Sequence, residues 1–512
     1  MQLQVHSSGG DCFDRGGQYS IISVGLTSGM MELIRVDVYL ERLRRFFVPR
    51  LSIDRRGLAV FRIGLGVTVL LDLCFRATDL VFFYTNKGVL PTYALHERFP
   101  LSSYISLHAL SGSPLFEALL FVVAGIFAVF LILGYYSRLS VLVSFFLLVS
   151  LHTRNPILLN AGDSLLKRLF FWSIFLPIGG KWSVDAVRRN RLPGDGTVST
   201  VASAALLIQV VLMYTVNSYF KFQGDIWMEG DAVVEVFGID RLTVRLGDVM
   251  TGIHPLLEFF DYFWLLLISF SILLILLPGW YRNVFTGLFM VMHLGMGLTM
   301  NLGLFPLISI LSLTPFLSSG FWSFFEEKLR SQIDIWRGFT GSISSVLPEI
   351  PYRIPSSVSN FVSTIKPFVV LFFLVAVLWW NASTMGLVES QEVGTLDPEQ
   401  NSWSMFAPHP PTNDGWWVVS LERKDGSVVD PRTREPPEFE PPSEFAETFG
   451  SHRKMLYLLD VTDSKNRVVK DDLLRFYCEK YAEPKDTVEV FFIQDKPDGS
   501  REREEIGSRH CA

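Results

Sequence analysis

Charge and cysteine are both scarce in this chain of 512 residues, of which 19% are charged and four are cysteines. The four, Cys12, Cys74, Cys478 and Cys511, form no CxxC pair and no Cys/His metal spacing, and they are too few for a disulfide scaffold. Cys478 and Cys511 are able to bridge if their segment lies outside the cytoplasm, and spacing alone leaves that open. His152, His293, His409 and His452 are not at ligand spacings either, so no metal is expected. A net charge of −6 is too small to point to nucleic acid or to an acidic substrate. Residues 387–512 show no Gly-rich phosphate loop, nucleophile elbow or HExxH. The N-terminus has no basic stretch running into a compact apolar core, so a cleaved signal peptide is not expected.

Apolar residues, in contrast, make up 49% of the chain, 43 of them Phe, and the mean hydropathy is +0.33. They are concentrated in long runs and thin out after about residue 386. That distribution argues against a soluble enzyme and for a polytopic membrane protein with a water-soluble tail. Windows of roughly 20 residues give runs at 57–75, 115–133, 137–152, 165–180, 201–220, 262–280, 284–300, 302–319 and 367–386. The expected fold is therefore an α-helical polytopic bundle of about nine transmembrane helices carrying a C-terminal extracytoplasmic β-rich α+β domain. Asn301 and Gly303 offer only a weak break between the seventh and eighth runs, and a merged or re-entrant pair there would change the parity. Residues 1–40 read as a disordered extension, 41–386 as the membrane domain and 387–512 as the tail.

Loop charges give the orientation, because Lys and Arg accumulate on the cytoplasmic side. A cytoplasmic N-terminus puts seventeen of them inside: six arginines from Arg42 to Arg56, Arg138, four residues from Lys181 to Arg191, Arg282, and five from Lys328 to Lys366. The opposite loops hold nine: Arg76, Lys87, Arg98, Arg154, Lys167, Arg168, Lys221, Arg241 and Arg245. The tail then lies outside the cytoplasm. In it, WWVVSLERKDGSVVD predicts a strand, a Lys-Asp-Gly turn and a second strand, and DTVEVFFIQDKPDGSREREEI repeats the theme. A Pro/Glu-rich linker, REPPEFEPPSEF, separates them, and Leu473, Leu474, Phe476 and Tyr477 predict a helix over 470–482.

Ionisable groups within spans are costly and therefore mark candidate sites. In the fifth run Tyr214, Asn217, Ser218 and Lys221 fall at spacings of three and four and form one polar stripe ending in an amine. An apolar surrounding is what makes a lysine usable as a base; the plainer alternative is that Lys221 snorkels to the outer interface. His293 sits within FMVMHLGMGLTMNLGLF with Asn301 two turns on, either as a site residue or as a packed imidazole. On the first run Asp72 and Arg76 stand one turn apart and are expected to pair. LHTRNPILLNAGDSLLKR crowds His152, Arg154, Asn155, Asn160, Asp163, Lys167 and Arg168 at one membrane edge, as a lined cavity or a lipid-headgroup site.

These motifs have a resemblance in common. RRGLAVFRIGLG, FRATDLVFFYTNKGVLP and LNAGDSLLKRLFFWSIFLPIGGKWSVD are together similar to the HTTM (horizontally transferred transmembrane) family, which includes the vitamin K-dependent gamma-glutamyl carboxylases. The likeness covers residues 52–325 and extends loosely through SWSMFAPHPPTNDGWW into the tail. In the carboxylases, a lysine on the matching helix is the proposed base toward vitamin K hydroquinone, whose reaction with oxygen drives carboxylation of peptide glutamate. The carboxylase stretch ending in two lysines looks like IQVVLMYTVNSYFKFQGDIWMEG, with Lys221 at the second lysine and Phe220 at the first. A second family position falls on His293 in MHLGMGLTMNLGLF. Where the carboxylases carry a histidine near the fourth span, this chain offers Asp163 or Asn160.

The resemblance implies a gamma-carboxylase-like lyase or epoxidase. Its cofactor would be a vitamin K-like quinone, its catalytic residues Lys221 and His293, and its substrate-binding residues Tyr214, Asn217, Asn160, Asp163 and Asn301. The alternative is a non-enzymatic scaffold that displays the tail and binds lipid or a partner. Trp403, Met405, Phe406, Trp416 and Trp417 would then form an exposed aromatic patch, unless they are the tail's own core and its docking surface. Either way the lipid bilayer is a partner and nucleic acid is not.

Overall fold

The computed structural model describes residues 39, 41–189, 196–349, 355–389, 403–411, 414–442, 445–463, 467–496 and 500–511. Two units result, Met1–Pro49 and Arg50–Ala512. In the first, residues 41–49 are helical and Arg45 pairs with Glu41 at 3.0 Å. Apart from Tyr39, the expected extension over 1–40 lies outside the described residues, as does Cys12.

In the second unit a helix falls on each of the nine apolar runs. These are α1 (Arg55–Ala77), α2 (Pro114–Leu133), α3 (Ser137–Arg154), α4 (Ala161–Ile174), α5 (Val201–Lys221), α6 (His254–Ser269), α7 (Gly279–Thr299), α8 (Phe305–Leu313) and α9 (Ser356–Thr384). Local chemistry sets their starts. Asp54 caps α1 by accepting from Arg56 N, Asn160 and Asp163 form a capping box on α4, and Thr200 and Ser203 form one on α5. Pro255 in the first turn opens α6 eight residues before the expected 262, and the helix stops at Ser269, short of the expected 280. The break between α7 and α8 is a full one: Met300 bridges to Thr243 and Gly303 takes φ +60°, a turn that ends one helix before the next begins.

Among the described residues four helices, α1, α2, α5 and α9, are long and apolar enough to cross a membrane. The pair Phe305–Phe316 and Ser319–Lys328, bent by 108°, makes a fifth if it counts as one span. The other helices fall short in length or mean hydropathy. α5 is central, with 72% of its apolar window buried, whereas α9 buries only 11% and leaves Phe361, Phe368 and Phe372 bare. Apolar exposure on that scale is not stable in water and is what a lipid-facing helix requires. α1 and α2 cross closely at Gly66, where a Cβ would lie 2.7 Å from the Ala128 carbonyl oxygen and 2.6 Å from Ile132 Cγ1.

The tail carries a four-stranded antiparallel sheet of β1 (Asp414–Glu422), β2 (Val428–Val429), β3 (Thr487–Asp495) and β4 (Arg501–His510), in the order β2-β1-β3-β4. Both expected hairpins are present. Period-two alternation puts Trp417, Val419, Val488 and Val490 on one face with Leu473 and Leu474, and Trp416, Val418, Phe491 and Ile493 on the other with Phe445. A register shift pairs Val490 with Gly507 but Phe491 with Glu505, leaving Ile506 as the extra residue of a bulge in β4. The expected helix over 470–482 is α11 (Arg467–Tyr481), preceded by a helix the pattern did not reveal, α10 (His452–Asp463). Cys478 on α11 and Cys511 beyond β4 form a disulfide. Trp403, Trp416 and Trp417 are buried and Met405 and Phe406 pack against the core, so these side chains form core and docking surface rather than an exposed patch.

Candidate functional site

α5, α6 and α7 meet the tail around a cavity of about 610 Å³. Its walls are mostly apolar, among them Trp227, Phe237, Trp264, Met292, Met296, Phe305, Met405, Phe406 and Met455. Five of the seven expected site residues line it: Lys221, His293, Tyr214, Asn217 and Asn160. The polar stripe on α5 explains three of them, since spacings of three and four place Tyr214, Asn217 and Lys221 on one helix face.

Lys221 ends α5 but does not snorkel. Only 2% of it is exposed, and its amine lies over the Trp227 indole face. It makes no side-chain hydrogen bond and no ion pair among the described residues. The carboxylate nearest in electrostatic effect is Asp261 of α6, which accepts from Val233 N at 3.1 Å. His293 is fully buried, and its Nε2 lies 2.8 Å from Tyr214 Oη. The edges of Trp264 and Phe305 surround the imidazole, and Nδ1 has no hydrogen-bond partner. A buried polar atom left unpaired costs about 1–3 kcal/mol, a cost that a bound ligand would offset.

Asn217 has a different task. Its amide nitrogen donates to the carbonyl oxygens of Trp403 (3.0 Å) and Ser404 (2.7 Å), while Trp227 Nε1 donates to Phe406 O at 3.1 Å. These bonds hold the segment 403–406 against the cavity, with Met405 and Phe406 at positive φ. Ser218, the remaining member of the stripe, turns away to Ser269.

Asp163 and Asn301 line a second, more polar chamber of about 1020 Å³ and not the cavity of Lys221 and His293, so the seven residues divide between two chambers. The physical reason is charge pairing. Asp163 accepts from Arg76 at 2.9 Å and from both Arg453 terminal nitrogens at 3.0 and 3.1 Å. Asp72 accepts from Arg76 Nε at 2.7 Å, the expected one-turn pair, and from Arg453. Tyr84 Oη accepts from Arg76 Nη1 at 2.7 Å. His152 stands 3.4 Å from Asp163 Oδ1. Asp72, His152 and Asp163 have ligand atoms within 4.8 Å of one another, but two guanidinium groups occupy the carboxylates. Next to this cluster, the His452 imidazole is pushed down to about 4 by burial and by the neighbouring Arg453, against the pull of Asp163.

Trp227, Asp261, His452 and Arg453 were not singled out from the sequence. Asp261 carries the same signal as Lys221, an ionisable group in an apolar run, and was within reach. His452 and Arg453 lie in a polar stretch, and only the tertiary fold shows that they face the membrane helices.

Comparison with known proteins gives no match to any family model, curated protein or solved structure.

Proposed function

We propose that this chain is an HTTM-like integral membrane protein with a cytoplasmic N-terminus and an extracytoplasmic tail. In this reading the cavity beside Lys221 takes a hydrophobic, oxygen-bearing small molecule of the quinone class. The observation that carries the proposal is the convergence of Lys221 and His293 on one apolar cavity in which neither side chain is ion-paired among the described residues. Its size and apolar walls suit a two-ring quinone with a short prenyl chain. The Cys478–Cys511 disulfide agrees with a tail on the oxidising side, as the loop charges do.

A reduced quinone would supply an acidic ring hydroxyl and the electrons for oxygen chemistry. Lys221 Nζ accepts the hydroxyl proton, with the Trp227 face fixing the amine above the cavity wall. The Tyr214–His293 hydrogen bond holds a second proton-carrying pair at the same wall. Asn217, by fastening segment 403–406, keeps water from the amine.

The test is binding by the full-length protein in lipid nanodiscs. A 1,4-naphthoquinone with a single prenyl unit should quench tryptophan fluorescence saturably, because Trp227 and Trp264 line the cavity. Gly295 lines the same cavity and has open space where its Cβ would be, so Gly295→Phe fills the volume without a clash at the backbone. Loss of saturable quenching in Gly295→Phe is expected, and unchanged quenching would contradict the reading.

A further inference from the structure

The apolar cavity and the polar chamber share three lining residues, Asn160, Met300 and His452, of which two are polar. Asn160 comes from the start of α4 and His452 from the start of α10 in the tail, and their side chains meet with Asn160 Nδ2 3.2 Å from His452 Nε2. The capping box fixes which way the amide points, since Asn160 Oδ1 accepts from Asp163 N at 3.1 Å. Nδ2 is therefore turned toward the imidazole. An amide nitrogen only donates, so His452 Nε2 accepts and the ring is the neutral tautomer with its proton on Nδ1. One of the two Nδ2–H groups is used in this way, and the second has no partner among the described residues.

His452 is also seated tightly. Gly303, at φ +60°, lies so close that a Cβ there would come within 2.8 Å of the His452 Cδ2. The charges of the cluster next to the junction are matched, Asp72 and Asp163 by Arg76 and Arg453 and Asp79 by Lys454 at 2.6 Å, while Asp240, Arg245 and Asp248 line the chamber outside that cluster. No surplus charge stands at the waist to draw an ionic group. What the waist offers is a directed neutral N–H donor at the end of an apolar cavity.

We infer that Asn160 donates its free amide N–H to a neutral oxygen of the hydrophobic ligand, and that His452, carried in by the tail, is the positioning residue that aims it. The tail then completes the ligand site and selects for an oxygen at one end of an apolar body. This rests on the cavity being the ligand site proposed above.

The experiment compares two probes on full-length protein in nanodiscs: the prenylated 1,4-naphthoquinone, read by tryptophan quenching, and the matching prenylated naphthalene without ring oxygens, read by displacement. The unsubstituted protein should prefer the quinone by roughly three- to tenfold, the worth of one neutral hydrogen bond. His452→Phe should bring that ratio close to one while leaving hydrocarbon affinity unchanged, and His452→Gln, whose side-chain oxygen accepts from Asn160, should restore it. A merely structural His452 would shift both probes together. Should His452→Phe not fold, His452→Leu carries the same comparison. A quinone preference that survives in the apolar variants, or a wild-type ratio of one, overturns the inference while the cavity reading stands. Absence of saturable quenching in the unsubstituted protein overturns both.

Discussion

The two chambers share a wall but treat their ionisable groups in opposite ways. On the polar side, Asp72, Asp163, Arg76 and Arg453 form a closed set in which every charge meets at least two partners. On the apolar side, Lys221 has an indole face and no ion pair among the described residues, and His293 has one hydroxyl. The difference teaches where structure ends and chemistry begins. A buried charge with matched partners holds elements together, whereas one enclosed by apolar walls without a partner is kept at a cost in stability that function has to explain.

Breaking the polar side should produce the largest effect on stability. Arg453→Ala leaves two buried carboxylates short of a partner, and the expected destabilisation is about 3–5 kcal/mol, seen in thermal melts and as faster proteolysis of the tail. Asn217→Ala comes next. It strips two carbonyl oxygens of segment 403–406 of their donor, for about 1–3 kcal/mol, and should expose that segment to protease ahead of the sheet. Acidification should act only below neutral pH. The pKa of His452 lies below its ordinary value of 6.5, at about 4, so the unfolded chain binds its proton first and stability falls as pH drops from about 6.5 to 4. The groups facing it, Arg453 and Asp163, are set by the ion cluster. His452→Gln should flatten that part of the melting-temperature profile.

Much of this contrast was legible in the chain and some was not. The apolar runs marked the nine helices α1 to α9, though not the polar helix Arg330–Val346, and alternation marked the two hairpins, because both patterns are local. The stripe Tyr214, Asn217, Lys221 is local too, and it landed on one cavity wall. The ion cluster around Asp163 was not legible because its partner Arg453 lies 290 residues away, and no spacing rule connects a fourth-helix capping residue to a tail helix. α10 was missed for a related reason: HRKMLYLLDVTD is polar on most sides, and its short apolar face, Met455, Leu458 and Val461, gains meaning only against the bundle. α6 was shifted because a hydropathy window discounts Glu258 and Asp261, although Pro255 signals the true start.

The central claim is that Lys221 is present for chemistry and not for packing. Lys221→Ala in full-length protein tests it most directly, with aerobic turnover of the reduced prenylated naphthoquinone and the melting temperature measured on the same sample. Turnover should be lost while the melting temperature stays within about 2–4 °C of the unsubstituted protein, the shift expected for a change of no more than about 1 kcal/mol. Turnover that persists, or activity that disappears only together with the fold, would contradict it.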